Sequence, residues 1–578
     1  MDINTIQKTD IKKQENKSKS LLKGEYIRFV PLGGLDEIGR NMAYYEFEDD
    51  IVIIDMGLQF PEEETPGIDF IVPNINSLLH KKDKIRGIII THGHYDHIGA
   101  IPYLIEQLGN PPIYATDICK AIIEKRQQDF VNAPKLNTIA IKPGDVINIS
   151  SNFKIEFFEL DHTIPETIGV LLKTPLANIA HFGDFRIEYD VNDKPSERNI
   201  EVFKKLNKVG IDVLLLDSTN AEEKGHSVSE KIVEKNLYEL FKEAEGRIIL
   251  ATFSSMITRI AEIIKMAEKL HKKIAINGRS MKDNIQIAQK LGYINAKQGT
   301  IIPLEDLHNY KDDRILILTT GAQGESGAGL MKIISGGHKY IRLKKGDTVI
   351  FSSSVIPGNE RSIQSLRDNI ARQGAKVIHS NIIDIHASGH APAEDIKLVL
   401  EAVKPKYFIP IHGYYYMRTV AGDIAKKAGM SQDKIIILEN GQIAYILKNK
   451  VVATKDFVQT SYVMIDGLGI GDVGEVVLRD RLTLAKEGMV SIYVLLSKQT
   501  GQILRNPDIM TKGFIYAKEN QEILENIRRR VKGILGRVPK HQPLDIDYVR
   551  ALLRDQIGQY LYNITHRRPM ILITIAEI

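Results

Sequence analysis

The chain has 578 residues, of which 43% are hydrophobic and 26% are charged, and this composition predicts a globular protein with three or four domains. Lys and Arg number 77 against 73 for Asp and Glu, and the net charge of +4 does not by itself indicate a nucleic-acid partner. The single cysteine, Cys119, excludes an intrachain disulfide and a thiolate metal cluster. Because the polar N-terminus lacks a signal sequence and no apolar run approaches the roughly 18–20 residues that cross a bilayer, we expect a cytoplasmic protein without a membrane partner.

The first elements in chain order are a basic arm and a series of buried strands. Residues 1–24 contain more lysine than acid and predict a flexible basic arm. Over residues 25–224, short apolar runs end at polar residues or turns, a pattern typical of a layered α/β domain. These runs are IVIIDMG (51–57), IRGIIITHGH (85–94), KIEFFELDH (154–162), NIAHFGDF (178–185) and IDVLLLDST (211–219).

The pattern changes at residue 225. Ser227 and Glu230 match a capping box, and apolar residues then recur at helical spacing. Helices alternate with strands as far as residue 382. Residues 225–382 therefore predict a second α/β domain with a parallel sheet.

The remaining elements predict that this second domain is inserted into the first. The run YFIPIHG (407–413) has the pattern of the first domain, in which an apolar strand is followed by a histidine. Residues 383–452 are accordingly the second part of the first domain. Residues 453–461 follow as a linker, and residues 462–578 as a C-terminal domain.

The strongest chemical signal is THGHYDHIGA, residues 91–100, which lies between an apolar strand and a helical run. His92, His94, Asp96 and His97 fall within this short segment. On a sharp strand-to-helix turn, the first two histidines can point one way while Asp96 and His97 point another. Such a turn offers ligands to two adjacent metal ions, whereas the alternative is a surface histidine cluster.

Three downstream residues could complete these sites. His162, Asp184 and His412 each follow an apolar strand, although any one of them taken singly is more often a packed or solvated polar residue. Histidine and carboxylate ligands suit zinc or manganese. We therefore predict two divalent ions per chain, with zinc as the first expectation and manganese or magnesium as alternatives. The predicted ligands are His92, His94 and His162 for the first ion, Asp96, His97 and His412 for the second, and Asp184 as the bridge.

The charge of such a centre indicates its substrate. Two divalent ions outweigh the charges of Asp96 and Asp184, so the centre would attract an anionic phosphodiester. Two ions about 3.5–4 Å apart can activate water and stabilise the charge of the transition state. Asp96 and Asp184 are therefore predicted to be catalytic as well as metal-binding.

The order of these ligands resembles the metallo-β-lactamase fold, and the long insertion resembles the β-CASP nucleic-acid nucleases. LLLDSTN supplies Asp217 as the motif A acid, HASGHA (386–391) supplies motif B and PIHG supplies motif C. From about residue 25 onward the chain is most similar to the bacterial ribonuclease J family. The segments that carry this resemblance are PLGGLDEIG, IIDMGLQFP, ATFSS, NGRSM, TTGAQGE, FSSSVIPGNE, HASGHA, KPKYFIPIHG and RRPMILITI.

The resemblance implies an α/β fold in which a metallo-β-lactamase αββα sandwich carries an inserted β-CASP α/β domain. A small α/β C-terminal domain would serve assembly into a homodimer or homotetramer. Asp55 would orient the metal-binding loop without binding a metal. Asp217 would likewise support the site without being a metal ligand.

The activity implied by the resemblance is hydrolysis of RNA phosphodiesters by a 5′-to-3′ exonuclease and endonuclease, in RNA decay and in rRNA and mRNA processing. His390 would be the general acid that protonates the leaving 3′-oxygen. Single-stranded RNA would lie in the cleft between the two α/β domains. The residues expected to bind it are Phe253, Ser254, Ser255, His386, Ala387, Ser388, Gly389 and His390.

Three other functions agree with parts of the sequence. A DNA-directed β-CASP nuclease would use the same ligands, and a hydrolase of small esters would need no large insertion. An inactive RNA-binding scaffold would hold a structural metal. The chain departs from the family motif at Tyr95, where we expect Glu, and at Tyr414 and Tyr416, where GYYYM replaces GEYRM. None of these changes removes a predicted ligand.

Overall fold

The computed structural model describes residues 24–61, 65–323, 328–353, 355, 359–380, 382–467, 469–471, 473–516, 519–537 and 545–578. Apart from Gly24, the predicted basic arm lies outside the described residues. The chain forms two compact units. The larger unit contains Ile71–Val463 and the residues before Pro61, and the smaller unit contains Pro61–Phe70 and Met464–Ile578.

The strands are numbered in chain order. Those before residue 220 are β1 (Ile27–Gly33), β2 (Met42–Phe47), β3 (Asp50–Ile54), β4 (Phe70–Val72), β5 (Ile85–Ile89), β6 (Ile113–Ala115), β7 (Thr138–Ala140), β8 (Val146–Asn148), β9 (Lys154–Glu159), β10 (Ile168–Lys173), β11 (Asn178–His181) and β12 (Val213–Asp217). Those after it are β13 (Ile248–Ala251), β14 (Lys273–Asn277), β15 (Ile301–Ile302), β16 (Ile315–Thr319), β17 (Thr348–Phe351), β18 (Lys376–His379), β19 (Tyr407–Ile411), β20 (Gln442–Leu447), β21 (Lys450–Phe457), β22 (Val463–Asp466), β23 (Gly469–Ile470), β24 (Met489–Leu496), β25 (Asp508–Lys512) and β26 (Met570–Glu577).

The α-helices span Asn76–Leu79, Tyr95–Ile98, Ile101–Leu104, Asp117–Gln127, Glu197–Val209, Glu230–Glu243, Ile257–Lys269, Arg279–Lys290, Gly329–Ile334, Glu360–Arg372, Ala393–Val403, Tyr415–Lys427, Glu475–Glu487, Gln521–Arg537 and Ile546–Thr565. Short 3₁₀ turns span Lys82–Lys84, Leu304–Asn309, Asp312–Arg314 and Gln432–Lys434.

Two sheets packed face to face form the core of the larger unit. Their strand orders are β21-β20-β1-β2-β3-β5-β6-β7 and β19-β12-β11-β10-β9-β8. One buried cluster draws side chains from both, including Phe29 and Val52 of the first and Phe157 and Val213 of the second. Helices cover the outer face of the second sheet through a separate apolar cluster that includes Phe203. This is the predicted αββα sandwich.

The inserted segment leaves the sandwich after β12 and returns through β19. These two strands pair in parallel, with Val213 opposite Tyr407 and Asp217 opposite Ile411. Between them the chain forms its own parallel sheet in the order β15-β14-β16-β13-β17-β18. The predicted insertion of a second α/β fold is therefore confirmed, while the residues chosen as its boundaries stay a prediction.

The capping box predicted at Ser227 is wrong in its position. The helix Glu230–Glu243 has Ser229 as its N-cap, whose hydroxyl accepts from the N–H of Lys231. The Ser227 hydroxyl instead donates to the buried carboxylate of Asp395 at 2.6 Å. A long-range partner has therefore displaced the local capping role.

The smaller unit is a third α/β fold. Its sheet has the order β25-β24-β26, and side chains of β24 are alternately buried and part-buried. The helices Gln521–Arg537 and Ile546–Thr565 contribute to its apolar core. Among the described residues, we find no helix with the length and apolar character that a membrane span requires.

Gly57, in the loop after β3 of the larger unit, packs closely against the backbone of the residues that follow β5. A Cβ at Gly57 would lie only 1.5 Å from the carbonyl oxygen of Asp96. We expect Gly57→Ala to destabilise the chain by about 1–3 kcal/mol, because backbone rather than a flexible side chain must move. Denaturant unfolding measures this change. Gly337→Ala is the control, because the nearest atom there lies at 3.6 Å. Equal stability of the two variants would contradict the expectation.

Candidate metal centre

The ends of neighbouring strands bring the predicted residues together. Asp55 follows β3, and residues 92–97 follow β5 in the adjacent position of the first sheet. His162, Asp184 and His412 follow β9, β11 and β19 of the second sheet. Loops at strand ends hold side chains on a rigid scaffold, which suits a reactive site.

One cluster consists of His92, His94, His162 and Asp184. The Nδ1 atom of His94 lies 3.0 Å from His92 Nε2 and 3.1 Å from His162 Nε2. Asp184 Oδ2 lies 3.7 Å from His92 Nε2 and 3.8 Å from His162 Nε2. Ligand atoms of a tetrahedral ion with bonds of about 2.0–2.1 Å are separated by about 3.3–3.4 Å. The four donor atoms therefore fit one metal ion.

The second oxygen of Asp184 faces another cluster. Asp184 Oδ1 lies 3.3 Å from His97 Nε2 and 3.6 Å from His412 Nε2. Asp96 Oδ2 lies 3.5 Å from His97 Nε2. The buried Nε2 atom of His412 has no hydrogen-bond partner within the described part of the chain. Because an unpaired buried polar atom is costly, its position beside a carboxylate favours a role in binding a cation.

Hydrogen bonds to the other ring nitrogen orient two of the histidines. His97 Nδ1 donates to Asp55 Oδ2 at 2.7 Å, and His162 Nδ1 donates to the carbonyl of Gly389 at 2.6 Å. Asp55 is itself held by the N–H and hydroxyl of Thr91, at 2.8 and 2.9 Å. These bonds fix the orientation of both rings and turn Nε2 of each imidazole toward its cluster.

Burial and charge set the protonation of these groups. Burial lowers the pKa of His92 and His162 well below its usual value and that of His94 to about 4. Burial also opposes the charged form of His97, but Asp184 and neighbouring carboxylates raise its pKa. Since neutral imidazole is the metal-binding form, the first cluster is ready for a cation.

His390 lies beside the shared carboxylate. Its Nδ1 donates to Asp217 Oδ2 at 2.8 Å and lies 3.9 Å from Asp184 Oδ2. Asp217 Oδ1 accepts from the N–H and hydroxyl of Thr219, at 2.9 and 2.7 Å. Burial alone would lower the pKa of His390, but the charges of Asp217 and Asp184 raise it to about 9. Asp217 thus favours the protonated form of an imidazole that lies next to the two clusters.

The motif B segment passes directly over the first cluster. A Cβ at Gly389 would lie 2.5 Å from the Cε1 atom of His162, so only glycine fits there. The Ser388 hydroxyl accepts from Asn220 Nδ2 at 2.8 Å and from the N–H of His390 at 3.3 Å. Both contacts hold Ser388 near the clusters.

The turn Phe253–Ser255 follows β13 at the carboxyl end of the inserted sheet. It leads into the helix Ile257–Lys269, whose Arg259 donates to Nδ1 of His386 at 2.7 Å and to the carbonyl of Ala387 at 3.3 Å. Arg259 thus links the inserted fold to the motif B segment.

Sequence reasoning missed two residues at this centre. Asn41 Nδ2 lies 2.9 Å from His97 Nε2 and 3.3 Å from Asp96 Oδ2, and Arg259 contacts His386. Asn41 ends the glycine-rich run GGLDEIGRN, and this run could have indicated a loop that contributes to the site. Arg259 has the spacing of an ordinary helical residue, so nothing in the local pattern marks it.

Four family models match the chain. They are Ribonuclease J, beta-CASP domain (residues 245–370); Ribonuclease J C-terminal domain (476–578); Beta-lactamase superfamily domain (65–252); and Zn-dependent metallo-hydrolase RNA specificity domain (374–437).

Similar proteins align over nearly the whole chain. Ribonuclease J 1 of Streptococcus pyogenes is 36% identical over 95% of this chain and 98% of its own length. Ribonuclease J2 of Bacillus subtilis is 34% identical over 96% of this chain and 99% of its own length. The chain belongs to the ribonuclease J family. A crystal structure of an Enterococcus faecalis protein of unknown function shares the fold, with a TM-score of 0.53 and 17% identity over 73% of this ribonuclease J family member and 100% of that chain.

The two clusters predict two ions in this member of the ribonuclease J family. We expect His162→Ala to reduce binding at the first cluster and His412→Ala at the second, because each loses one donor atom. Elemental analysis of purified protein measures the ions per chain. His308→Ala is the matched control, since His308 is exposed and its Nδ1 donates to the Glu305 carbonyl. Wild-type protein that cuts RNA without any bound transition metal or magnesium would refute the expectation.

Proposed function

We propose that the chain hydrolyses RNA phosphodiesters with two metal ions, as a 5′-to-3′ exonuclease and endonuclease. It would act in RNA decay and in processing of rRNA and mRNA. The observation that carries this proposal is the Asp184 carboxylate, whose two oxygens face separate histidine clusters while His390 lies beside it. This arrangement suits an anionic substrate that needs both charge neutralisation and a proton donor.

The proposed ligands are those of the two clusters, with zinc as the ion and manganese or magnesium as alternatives. When bound, such ions would lower the pKa of water and neutralise charge on the phosphate. The chain's own contribution is to fix the donors before substrate arrives. Asp55 does so for His97, and the Gly389 carbonyl does so for His162.

His390 is proposed as the general acid. Its Nδ1 is occupied by Asp217, so Nε2 is the atom that would deliver a proton to the leaving 3′-oxygen. Asp217 stabilises the protonated imidazole and fixes its orientation. Because the bond between phosphorus and the 3′-oxygen breaks, the product carries a 5′-phosphate.

Single-stranded RNA is the proposed partner. Phosphate oxygens would bind Ser388, the nearby backbone N–H groups and the turn Phe253–Ser255, which follows β13 of the inserted fold. The similar proteins carry the name ribonuclease J, which favours RNA over DNA. Cleavage of matched RNA and DNA strands tests that choice. If the protein contacts the 2′-hydroxyl, DNA loses that contact and should be cut more slowly than RNA.

We also propose that the chain forms a homodimer or homotetramer through residues 462–578. Apolar side chains of the small sheet are exposed in the single chain, among them Met510 of β25 and Leu572 of β26. A second copy would cover such residues. Light scattering at several concentrations measures the association state.

A 5′-monophosphate end should be preferred for stepwise cutting. A pocket that binds the terminal phosphate sets which bond lies over the clusters, and a triphosphate is too large for it. Initial release of mononucleotides from one RNA with a monophosphate, triphosphate or hydroxyl 5′ end measures this. Equal release from all three ends would refute the 5′-to-3′ assignment. An internally cut circular RNA is the control, because it presents no end.

The pH profile tests His390. Activity that needs protonated His390 falls as pH rises through its pKa, which Asp217 and Asp184 raise to about 9. Asp217→Asn removes a raising charge, so the alkaline fall in kcat should move to lower pH. Asp212→Asn, at the other end of β12, is the control and should leave the fall in place. An unmoved profile in Asp217→Asn would argue against His390 as the acid.

A further inference from the structure

The carbonyl groups of the motif B segment face side-chain donors that come from different parts of the larger unit. Both α/β folds contribute, so this short segment is held from several directions. The four contacts are Arg259 to the carbonyl of Ala387 at 3.3 Å, Arg186 to Ser388 at 3.5 Å, His162 to Gly389 at 2.6 Å, and Asn220 to His390 at 3.3 Å.

The first two of these contacts determine where two N–H groups point. In a trans peptide, the C=O and the following N–H point in opposite directions. Arg259 and Arg186 therefore turn the N–H groups of Ser388 and Gly389 away from themselves. Within the described residues, we find no protein acceptor for either group. Successive N–H groups that are left free in this way form a concavity suited to an anion.

Arg259 also fixes the proton of His386. A guanidinium can only donate, so His386 Nδ1, at 2.7 Å from Arg259, must accept. The ring is then neutral and carries its proton on Nε2. The hydrogen bond between the ring and the backbone of Ser352 then holds His386 beside Arg259.

Neither arginine can reach RNA itself. Arg186 is only 2% exposed and Arg259 only 3%. Both bind the same carboxylate, with Arg259 at 2.5 Å and Arg186 at 3.3 Å from Glu230 Oε1. Glu230 begins the first helix of the inserted fold, whereas Arg186 belongs to the sandwich. The shared carboxylate joins the two folds and, together with Glu188, which also pairs with Arg186, balances the two buried charges.

We propose that Arg259 and Arg186, held together by Glu230, are positioning residues for a substrate phosphate. They direct the N–H groups of Ser388 and Gly389 toward the 5′-terminal phosphate of RNA. This inference rests on the proposed function and adds to it the residues that build the phosphate site. The inserted fold thereby controls recognition of the RNA end without touching RNA through these side chains.

Arg259→Lys tests the proposal. Lysine keeps the charge but lacks the fork that binds Glu230, His386 and Ala387 together. The readout is the ratio of kcat/KM for RNA with a 5′-monophosphate to that for the same RNA with a 5′-hydroxyl. We expect this ratio to fall by about 10-fold or more toward one, because the N–H groups of Ser388 and Gly389 would no longer point toward the charged 5′-phosphate. Metal content should stay at the wild-type value.

Arg247→Lys is the matched control. Arg247 is also buried in the inserted fold, where it binds both oxygens of Asp347, at 2.9 and 2.6 Å, and the Arg342 carbonyl. Its loss should lower thermal stability without changing the ratio. A folded, metal-loaded Arg259→Lys protein with the wild-type ratio would overturn the proposal.

Glu230→Gln provides a second test if Arg259→Lys does not fold. It keeps the side-chain size and removes the charge that joins the arginines, and it should lower the same ratio. An unchanged ratio in this variant would also overturn the proposal. Wild-type protein that cuts no RNA would instead refute the proposed function, so the two failures are distinguishable.

Discussion

The division of one buried carboxylate between two histidine clusters is the constraint on which the centre depends. Asp184 can serve both only if the clusters lie on opposite sides of it, and the order β19-β12-β11-β10-β9-β8 provides this. His412 follows β19 on one side, and His162 follows β9 on the other. The lateral positions of strands in one sheet thus decide which histidines join which cluster. The first sheet contributes the remaining histidines from the loop after β5.

The same order explains how a large insertion can serve a site in the sandwich. β12 and β19 are parallel neighbours, so the chain that leaves the carboxyl end of β12 must pass back along the sheet before it enters β19. Its last segment before the helix Ala393–Val403 contains His390, which reaches Asp217 at the end of β12. Because this return path is fixed at both ends, motif B lies over the first cluster.

Much of the fold and of the site is predictable because its signals are local. The short run from His92 to His97 predicts that ligand side chains on one turn point in two directions. Polar residues at the ends of strands mark the other ligands. The Arg259–His386 contact is not predictable, because it joins residues far apart in sequence and Arg259 has ordinary helical spacing. The N-cap was misplaced for a related reason. Ser227 has a buried partner, Asp395, that no local pattern reveals.

Tyr95 shows why a departure from the family motif can leave the ligand set intact. It lies between His94 and Asp96 on the first turn of a helix, where neighbouring side chains point in different directions. Its ring packs on the guanidinium of Arg126, 4.4 Å from the ring centroid, and is still 37% exposed. The position therefore belongs to the surface beside the clusters. A neutral ring in place of the expected glutamate removes a negative charge there, which favours an approaching polyanion without altering the donors that hold the metal ions.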